Sequence, residues 1–169
     1  MIKTKMETKN LEAELTITKL SSFDGVNKEK FAALIHSGFK KTLIPTYFSD
    51  IAPDHICLAE HNGRYVGAIV VEAVPELPGV NYLDKIVVAA DYQGMNIGKT
   101  LWQHLNGYSQ KVVWRAKKEN PIIDFYRKKS DGCINLLDQA DFMFFYYGLS
   151  SKELEKALVY AINKKPSLV

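Results

Sequence analysis

Cysteine is scarce in this sequence, and its scarcity excludes two architectures. The 169 residues hold only Cys57 and Cys133, far apart and without the paired spacing of a metal site. They read as reduced thiols of a cytosolic-type compartment rather than a disulfide framework, so a cytoplasmic protein is expected. Long apolar runs are missing too. Ile69–Val71 and Ile86–Ala90 are strand-sized, well short of the roughly 20 residues of a membrane span, so no membrane partner is expected. Met1–Asn10 carries three lysines and no apolar centre, so it is not expected to be a secretory signal. It is expected to be a flexible tail, with a basic mitochondrial address left open. His36, His55, His61 and His104 show no metal spacing, and no metal is expected. A net charge of +3 is too small to imply nucleic acid.

What is present is an ordinary globular composition, 47% hydrophobic and 24% charged, in a length that suits one domain over residues 11–169. The charge is unevenly spread. Between Lys111 and Lys129 stand seven bases against two acids, Glu119 and Asp124. That surplus suits an anionic small ligand, although a solvated basic face would look the same.

Glu14–Leu20 alternates as a strand should. Asn27 can cap a helix whose apolar stripe is Phe31, Leu34 and Ile35, with Gly38 as its expected end. Lys40–Phe48 reads as a second short helical piece around Pro45. His55–Glu60 and Arg64–Val74 flank Asn62-Gly63, a strong hairpin signal. After a Pro/Gly loop, Val80–Ala90 is a long strand whose apolar end suits a buried position. A turn over Asp91–Ile97 leads to a helix from Gly98 to Tyr108, then a strand over Lys111–Lys117. Pro121 suits the first turn of a helix through Phe125 and Tyr126. Ser130–Gly132 reads as a turn, Asp141–Tyr147 as an aromatic strand, and Lys152–Asn163 as an amphipathic helix. The fold class is therefore α/β: a mixed, mostly antiparallel sheet with one right-handed parallel crossover, flanked by helices.

A strand running straight into a tight turn and a helix leaves unpaired backbone N–H groups at the positive end of the helix dipole, where phosphate binds. Here the segment is Val87-Val88-Ala89-Ala90-Asp91-Tyr92-Gln93-Gly94-Met95-Asn96-Ile97-Gly98-Lys99. By itself it would also serve as a plain capped turn. The motif resembles the coenzyme A pyrophosphate loop of the GNAT superfamily of N-acetyltransferases: Gln or Arg, two residues, Gly, one residue, then Gly or Ala. Gln93 and Gly98 match, and Asn96 stands where the first glycine is usual. The resemblance implies a GNAT fold whose two neighbouring parallel strands splay apart. It also implies acetyl-CoA as co-substrate, held by Ile86, Val87, Val88, Gln93, Gly94, Asn96, Gly98 and Lys99.

Further segments narrow the resemblance: Phe39-Lys40-Lys41-Thr42-Leu43, Tyr47-Phe48, Tyr82-Leu83-Asp84-Lys85, Trp114-Arg115, Asn120-Pro121-Ile122, Phe125-Tyr126, Ser130-Asp131-Gly132 and Phe144-Phe145-Tyr146-Tyr147-Gly148-Leu149. In combination they resemble the acetyltransferase domain of vertebrate-type N-acetylglutamate synthases and bifunctional bacterial synthase/kinases, from about Phe31 to the last helix. In that family the positions of Lys40, Lys85, Arg115 and Asn120 bind the N-acetylglutamate ligand, and a second arginine is expected where this chain has Lys117. Alternation places Val113, Arg115 and Lys117 on one face of their strand, away from Trp114 and Ala116. An arginine there can grip a carboxylate through two parallel N–H groups.

The resemblance implies acetyl transfer to the α-amine of glutamate, the first step of arginine biosynthesis. Direct attack needs no Ser or Cys nucleophile, and neither cysteine has an activating histidine in a recognisable motif. Backbone N–H groups around Ile86–Val88 would polarise the thioester carbonyl, and Tyr126 is the candidate acid for the departing thiolate. A water or Asp84 would serve as base. Two readings remain beside this one: an acetyltransferase of another acidic amine such as aspartate, and a non-catalytic module that binds acetyl-CoA or a partner. The family's long enzymes carry an arginine-binding amino-acid-kinase domain, for which 169 residues leave no room. A free-standing synthase, a fragment, or a chain paired with a separate kinase are all consistent with that, and the oligomeric state is open.

Overall fold

A computed structural model describes residues 14–169. The expected tail, Met1–Asn10, lies outside the described residues. Seven strands hydrogen-bond in the order β1-β2-β3-β4-β5-β7-β6, where β1 is Thr16–Leu20, β2 His55–His61, β3 Arg64–Ala73, β4 Asn81–Val88, β5 Val112–Lys117, β6 Gly132–Asn135 and β7 Phe142–Tyr147. The helices are α1 (Lys28–Phe39), α2 (Tyr47–Asp50), α3 (Ile97–Tyr108), α4 (Ile123–Lys129) and α5 (Ser151–Ile162). The chain forms two compact units. One comprises the residues up to Glu72 with Asp84–Gly107 and Pro166–Val169; the other comprises Ala73–Leu83 and Tyr108–Lys165.

In the first unit, β1, β2 and β3 pair antiparallel. Asn62 and Gly63 both take positive φ, 52° and 74°, which is the turn whose twist matches two antiparallel strands. Asn27 caps α1 as expected, its side-chain oxygen accepting from the Lys30 N–H at 3.0 Å. Removing such a cap costs about 1 kcal/mol. Phe31, Leu34 and Ile35 are buried on α1 and Ile97, Leu101, Trp102 and Leu105 on α3. Phe31 meets Phe23, Tyr47 and Phe48 at ring separations of 5.7 to 6.2 Å.

Gly38 does not end α1. The helix continues to Phe39, and Lys40 supplies the left-handed cap at φ 57°. Gly38 is needed for a different reason: a Cβ there would collide with the Val87 side chain and lie 2.8 Å from the Val88 carbonyl oxygen. The helix therefore rests on the backbone of β4, and any side chain would push the two apart. Gly38→Ala gains up to about 1 kcal/mol of helix propensity. It loses more, since overpacking against a backbone atom costs roughly 1–3 kcal/mol and β4 cannot rotate away as a side chain would. The expected net result is a melting temperature lower by several degrees, with a raised KM for acetyl-CoA. A melting temperature at or above that of the wild type would show that the contact relaxes freely.

In the second unit, the parallel ladder joins Asn81 to Val112 and Tyr82 to Val113, at the starts of β4 and β5. The strand pairs β5–β7 and β6–β7 are antiparallel. On one face, Val113, Tyr82 and Phe144 pack with Ala157 and Ala161 of α5. On the other, Trp114 stacks on Phe145 at 5.6 Å. α5 opens with a reciprocal cap, in which Glu153 N–H donates to Ser150 Oγ and Ser150 N–H to Glu153 Oε1. The turn expected at Ser130–Gly132 runs instead into the edge strand β6. Its four residues carry too short a pattern to announce themselves, and their pairing is supplied by β7.

Candidate active site

The segment after β4 begins with a tight 3-10 turn, Ala90–Tyr92. Two bonds fix its entry: the Ala89 N–H donates to the Val66 carbonyl and the Ala90 N–H to Ser37 Oγ, both at 2.9 Å. Arg64 then grips Asp91 with both guanidinium nitrogens, at 2.7 and 2.9 Å, while lying 5.5 Å from the Tyr92 ring. His61 Nδ1 meets the Tyr92 hydroxyl at 2.7 Å. Exposed ion pairs contribute little to stability, so their use here is to hold the turn in one place.

Gly94 and Asn96 take positive φ, 81° and 64°. Asn96 thus adopts the left-handed conformation that a glycine would adopt, and asparagine tolerates it better than other non-glycine residues. Its carbonyl accepts the Thr100 N–H at 3.0 Å, which makes Asn96 the residue from which α3 starts. The amides of Ile97, Gly98 and Lys99 fall in the first turn, where a helix leaves its N–H groups without intrahelical partners. Gln93 folds back, Nε2 donating to the Val88 carbonyl at 3.4 Å. A Cβ on Gly94 would meet nothing within 4 Å, so the turn is open on that side. Open backbone amides at a helix N-terminus, with the exposed Lys99 beside them, fit an anionic pyrophosphate. Gly98 is not sterically required, since a Cβ there would touch Val88 only at an ordinary 3.7 Å. Ile86 and Val87 are buried and Val88 is half-buried.

Two sequence-predicted substrate ligands belong to the same unit. Lys40 is exposed at the end of α1. Lys85 is not a free surface cation. Its side chain and that of Asp84 are each only 6% exposed and are ion-paired at 3.2 Å. Tyr47 donates to the same Asp84 oxygen at 2.7 Å, and the Lys85 ammonium lies 5.2 Å from the Tyr47 ring centroid. Lys85 also donates to Ser167 Oγ at 2.6 Å. Burial first, then the Asp84 carboxylate, hold the Tyr47 phenol well above its ordinary range. Ser167 escaped the sequence reading, and Tyr47, part of a quoted motif, was given no role in the site. Ser167 is 82 residues from Lys85 and sits in a segment without a pattern.

The remaining predicted residues belong to the second unit. Arg115 lies on the α5 side of β5, its Nη1 donating to the Ala161 carbonyl at 3.3 Å and its guanidinium 4.6 Å from the Phe142 ring. Lys117 shares that ring at 5.9 Å. The alternation read from the sequence thus brings both cations to one face. Asn120 makes a local turn, its Oδ1 accepting the Ile122 N–H at 3.0 Å ahead of α4. Tyr126 sits against the opposite face of β5, 5.7 Å from Trp114 and 5.5 Å from Phe145. It is 5% exposed, and burial raises its pKa far above the ordinary tyrosine value. The phenol therefore keeps its proton at any working pH. Burial likewise pushes Cys57 up to about 11, so its thiol is a poor nucleophile near neutrality. Among the described residues, no group of three or more His, Cys, Asp or Glu side chains could hold a metal, and no helix is long and apolar enough to cross a membrane.

The family model described as the N-acetyltransferase of N-acetylglutamate synthase matches residues 15–165. The mitochondrial N-acetylglutamate synthase of Mus musculus is 32% identical over 142 residues, covering 84% of this chain and 26% of that protein. An acetylglutamate kinase of Xanthomonas campestris is 28% identical over 154 residues, covering 90% of this chain and 35% of that protein. The chain therefore spans about a third or less of these relatives. Among solved structures, the IAA acetyltransferase of Bacillus cereus superposes with a TM-score of 0.61 at 16% identity, covering 80% of this chain and 99% of that one. Arabidopsis thaliana Naa50, in complex with a bisubstrate analogue, gives 0.61 at 18% identity, covering 81% and 99%. These likenesses establish the GNAT fold that the resemblance implied.

Proposed function

Because the chain belongs to the N-acetyltransferase family of N-acetylglutamate synthase, we propose that it transfers an acetyl group from acetyl-CoA directly to the α-amine of L-glutamate. The observation that carries the reading is the passage from β4 through the left-handed residues Gly94 and Asn96 into the N-terminus of α3. Its open amides are suited to the pyrophosphate of coenzyme A, and Gln93 and Lys99 flank them.

Backbone N–H groups of Ile86–Val88 polarise the thioester carbonyl, and a neutral amine attacks it. The new C–N bond forms first, and the tetrahedral intermediate then collapses with cleavage of the C–S bond. The amine's proton passes to water, and Tyr126 supplies a proton to the departing thiolate. Asp84 is poorly suited to be the base, because one of its oxygens already accepts from both Tyr47 and Lys85. Arg115 grips a carboxylate of glutamate, with Lys117 as a second, weaker cation that lacks the planar fork. Lys40, Lys85 and Asn120 are further candidate ligands of the acidic substrate. The kinase named among the relatives supports pairing with an amino-acid-kinase domain or chain.

The test is isotopic. Acetyl-CoA labelled in the acetyl carbon, incubated with glutamate and the protein, should yield labelled N-acetylglutamate by mass spectrometry. Label recovered only as acetate, at a rate independent of glutamate, would contradict the proposal.

A further inference from the structure

The loop that carries the open amides, Gln93–Asn96, is held at both ends by β3. At its far end, Gly67 makes room for the first turn of α3: a Cβ there would lie 2.8 Å from the Ile97 side chain and 2.9 Å from that of Leu101. At its near end stands the tip of the β2–β3 hairpin. Asn62-Gly63 is a two-residue turn, so His61 and Arg64 pair directly across it. Both reach the Ala90–Tyr92 turn. Arg64 grips Asp91 through two nitrogens, and His61 Nδ1 meets the Tyr92 hydroxyl at 2.7 Å, with the two rings edge to face at 5.6 Å. The second His61 nitrogen meets Glu14 at 3.2 Å.

A bulge lies directly behind the tip. Glu60 faces Tyr65 but Ala59 faces Gly67, which leaves Val66 as an extra residue on β3. Val66 is also the residue whose carbonyl accepts the Ala89 N–H, one step before the turn. Bulges bend and twist a strand, and they recur where a side chain has to be re-aimed. The ion pair itself is 47% and 59% exposed, too open to water to add much stability. Its acid also has the wrong sign for an anion site. Asp91 sets a carboxylate just before Gly94, and by charge alone it opposes a pyrophosphate there.

We propose that the hairpin tip is a clamp on this loop, with His61, Arg64, Asp91 and Tyr92 as positioning residues that hold its amides in place for the pyrophosphate of acetyl-CoA. They act through the loop and not on the cofactor. This rests on the reading of the loop as the acetyl-CoA site.

The test is the Kd of acetyl-CoA, measured by calorimetry for the wild type, Arg64→Met, Asp91→Asn and the double variant. Asp91→Asn separates a clamp from a bystander by sign. Releasing a clamp raises Kd, roughly five- to tenfold if the freed amides are in place about a tenth to a fifth of the time. Removing a mere surface carboxylate leaves Kd unchanged or lowers it. Arg64→Met should match Asp91→Asn, and the double variant should bind no more weakly than either, because all three break one contact. Melting temperatures should stay within a few degrees of the wild type, since the pair is exposed. An Asp91→Asn protein that binds as tightly as the wild type, or more tightly, overturns the proposal. So do additive losses in the double variant, which would mean that Arg64 meets the cofactor itself. The underlying reading fails separately: a wild-type protein that binds no acetyl-CoA overturns that reading, and the proposal with it.

Discussion

Tyr126→Phe is expected to lower kcat about a hundredfold while leaving the melting temperature within a few degrees of the wild type. The substitution removes one oxygen and keeps the ring, so the packing against Trp114 and Phe145 survives. The hydroxyl is what the proposed mechanism uses. Positioned acids commonly contribute 10²–10⁴-fold, and the lower end is expected here, because burial makes this phenol a reluctant donor. The same burial carries a pH consequence. With its pKa held far above the ordinary value, Tyr126 stays protonated throughout the neutral range, so its ionisation should produce no falling limb in the rate there. A Phe variant at the wild-type rate would mean that Tyr126 only fills the aromatic layer on that face of β5.

Arg115→Ala should raise the glutamate KM roughly thirtyfold or more, since truncating one partner of a buried charge pair costs about 2–5 kcal/mol. Arg115→Lys should recover only part of the loss, because lysine keeps the charge without the fork. The change also removes the bond to the Ala161 carbonyl and the contact with Phe142, together about 1–2 kcal/mol of stability. Comparing KM for glutamate with KM for acetyl-CoA separates the two effects. A general loss of structure moves both, whereas loss of the carboxylate grip moves only the first. An unchanged glutamate KM would remove Arg115 from the site.

Local chemistry was the legible part of this fold. The Asn62-Gly63 hairpin, the Asn27 cap and the strand–turn–helix from β4 into α3 were visible because each depends on residues within a few positions of one another. The face shared by Arg115 and Lys117 was visible for the same reason, since strand alternation alone decides it. Gly38 misled because a glycine near a helix end usually caps it, whereas here its missing side chain admits the backbone of β4, which comes roughly 50 residues later in the chain. No local signal marked β6, whose pairing is donated by β7. The network of Tyr47, Asp84, Lys85 and Ser167 was hidden most deeply. Lys85 was picked out through a family resemblance, but that its ammonium is buried and shared with a distant serine is a tertiary fact. Tyr126 could be named from the sequence, yet its place on the face opposite Arg115 depends on how the chain turns through Asn120 and α4.

Coenzyme A release from acetyl-CoA, measured side by side with glutamate, aspartate, glutamine, lysine and no added amine, tests the central claim most directly. The account predicts release that depends on glutamate and exceeds that with every other amine by at least tenfold. Equal release with all amines, or none with any of them despite measurable acetyl-CoA binding, would contradict it.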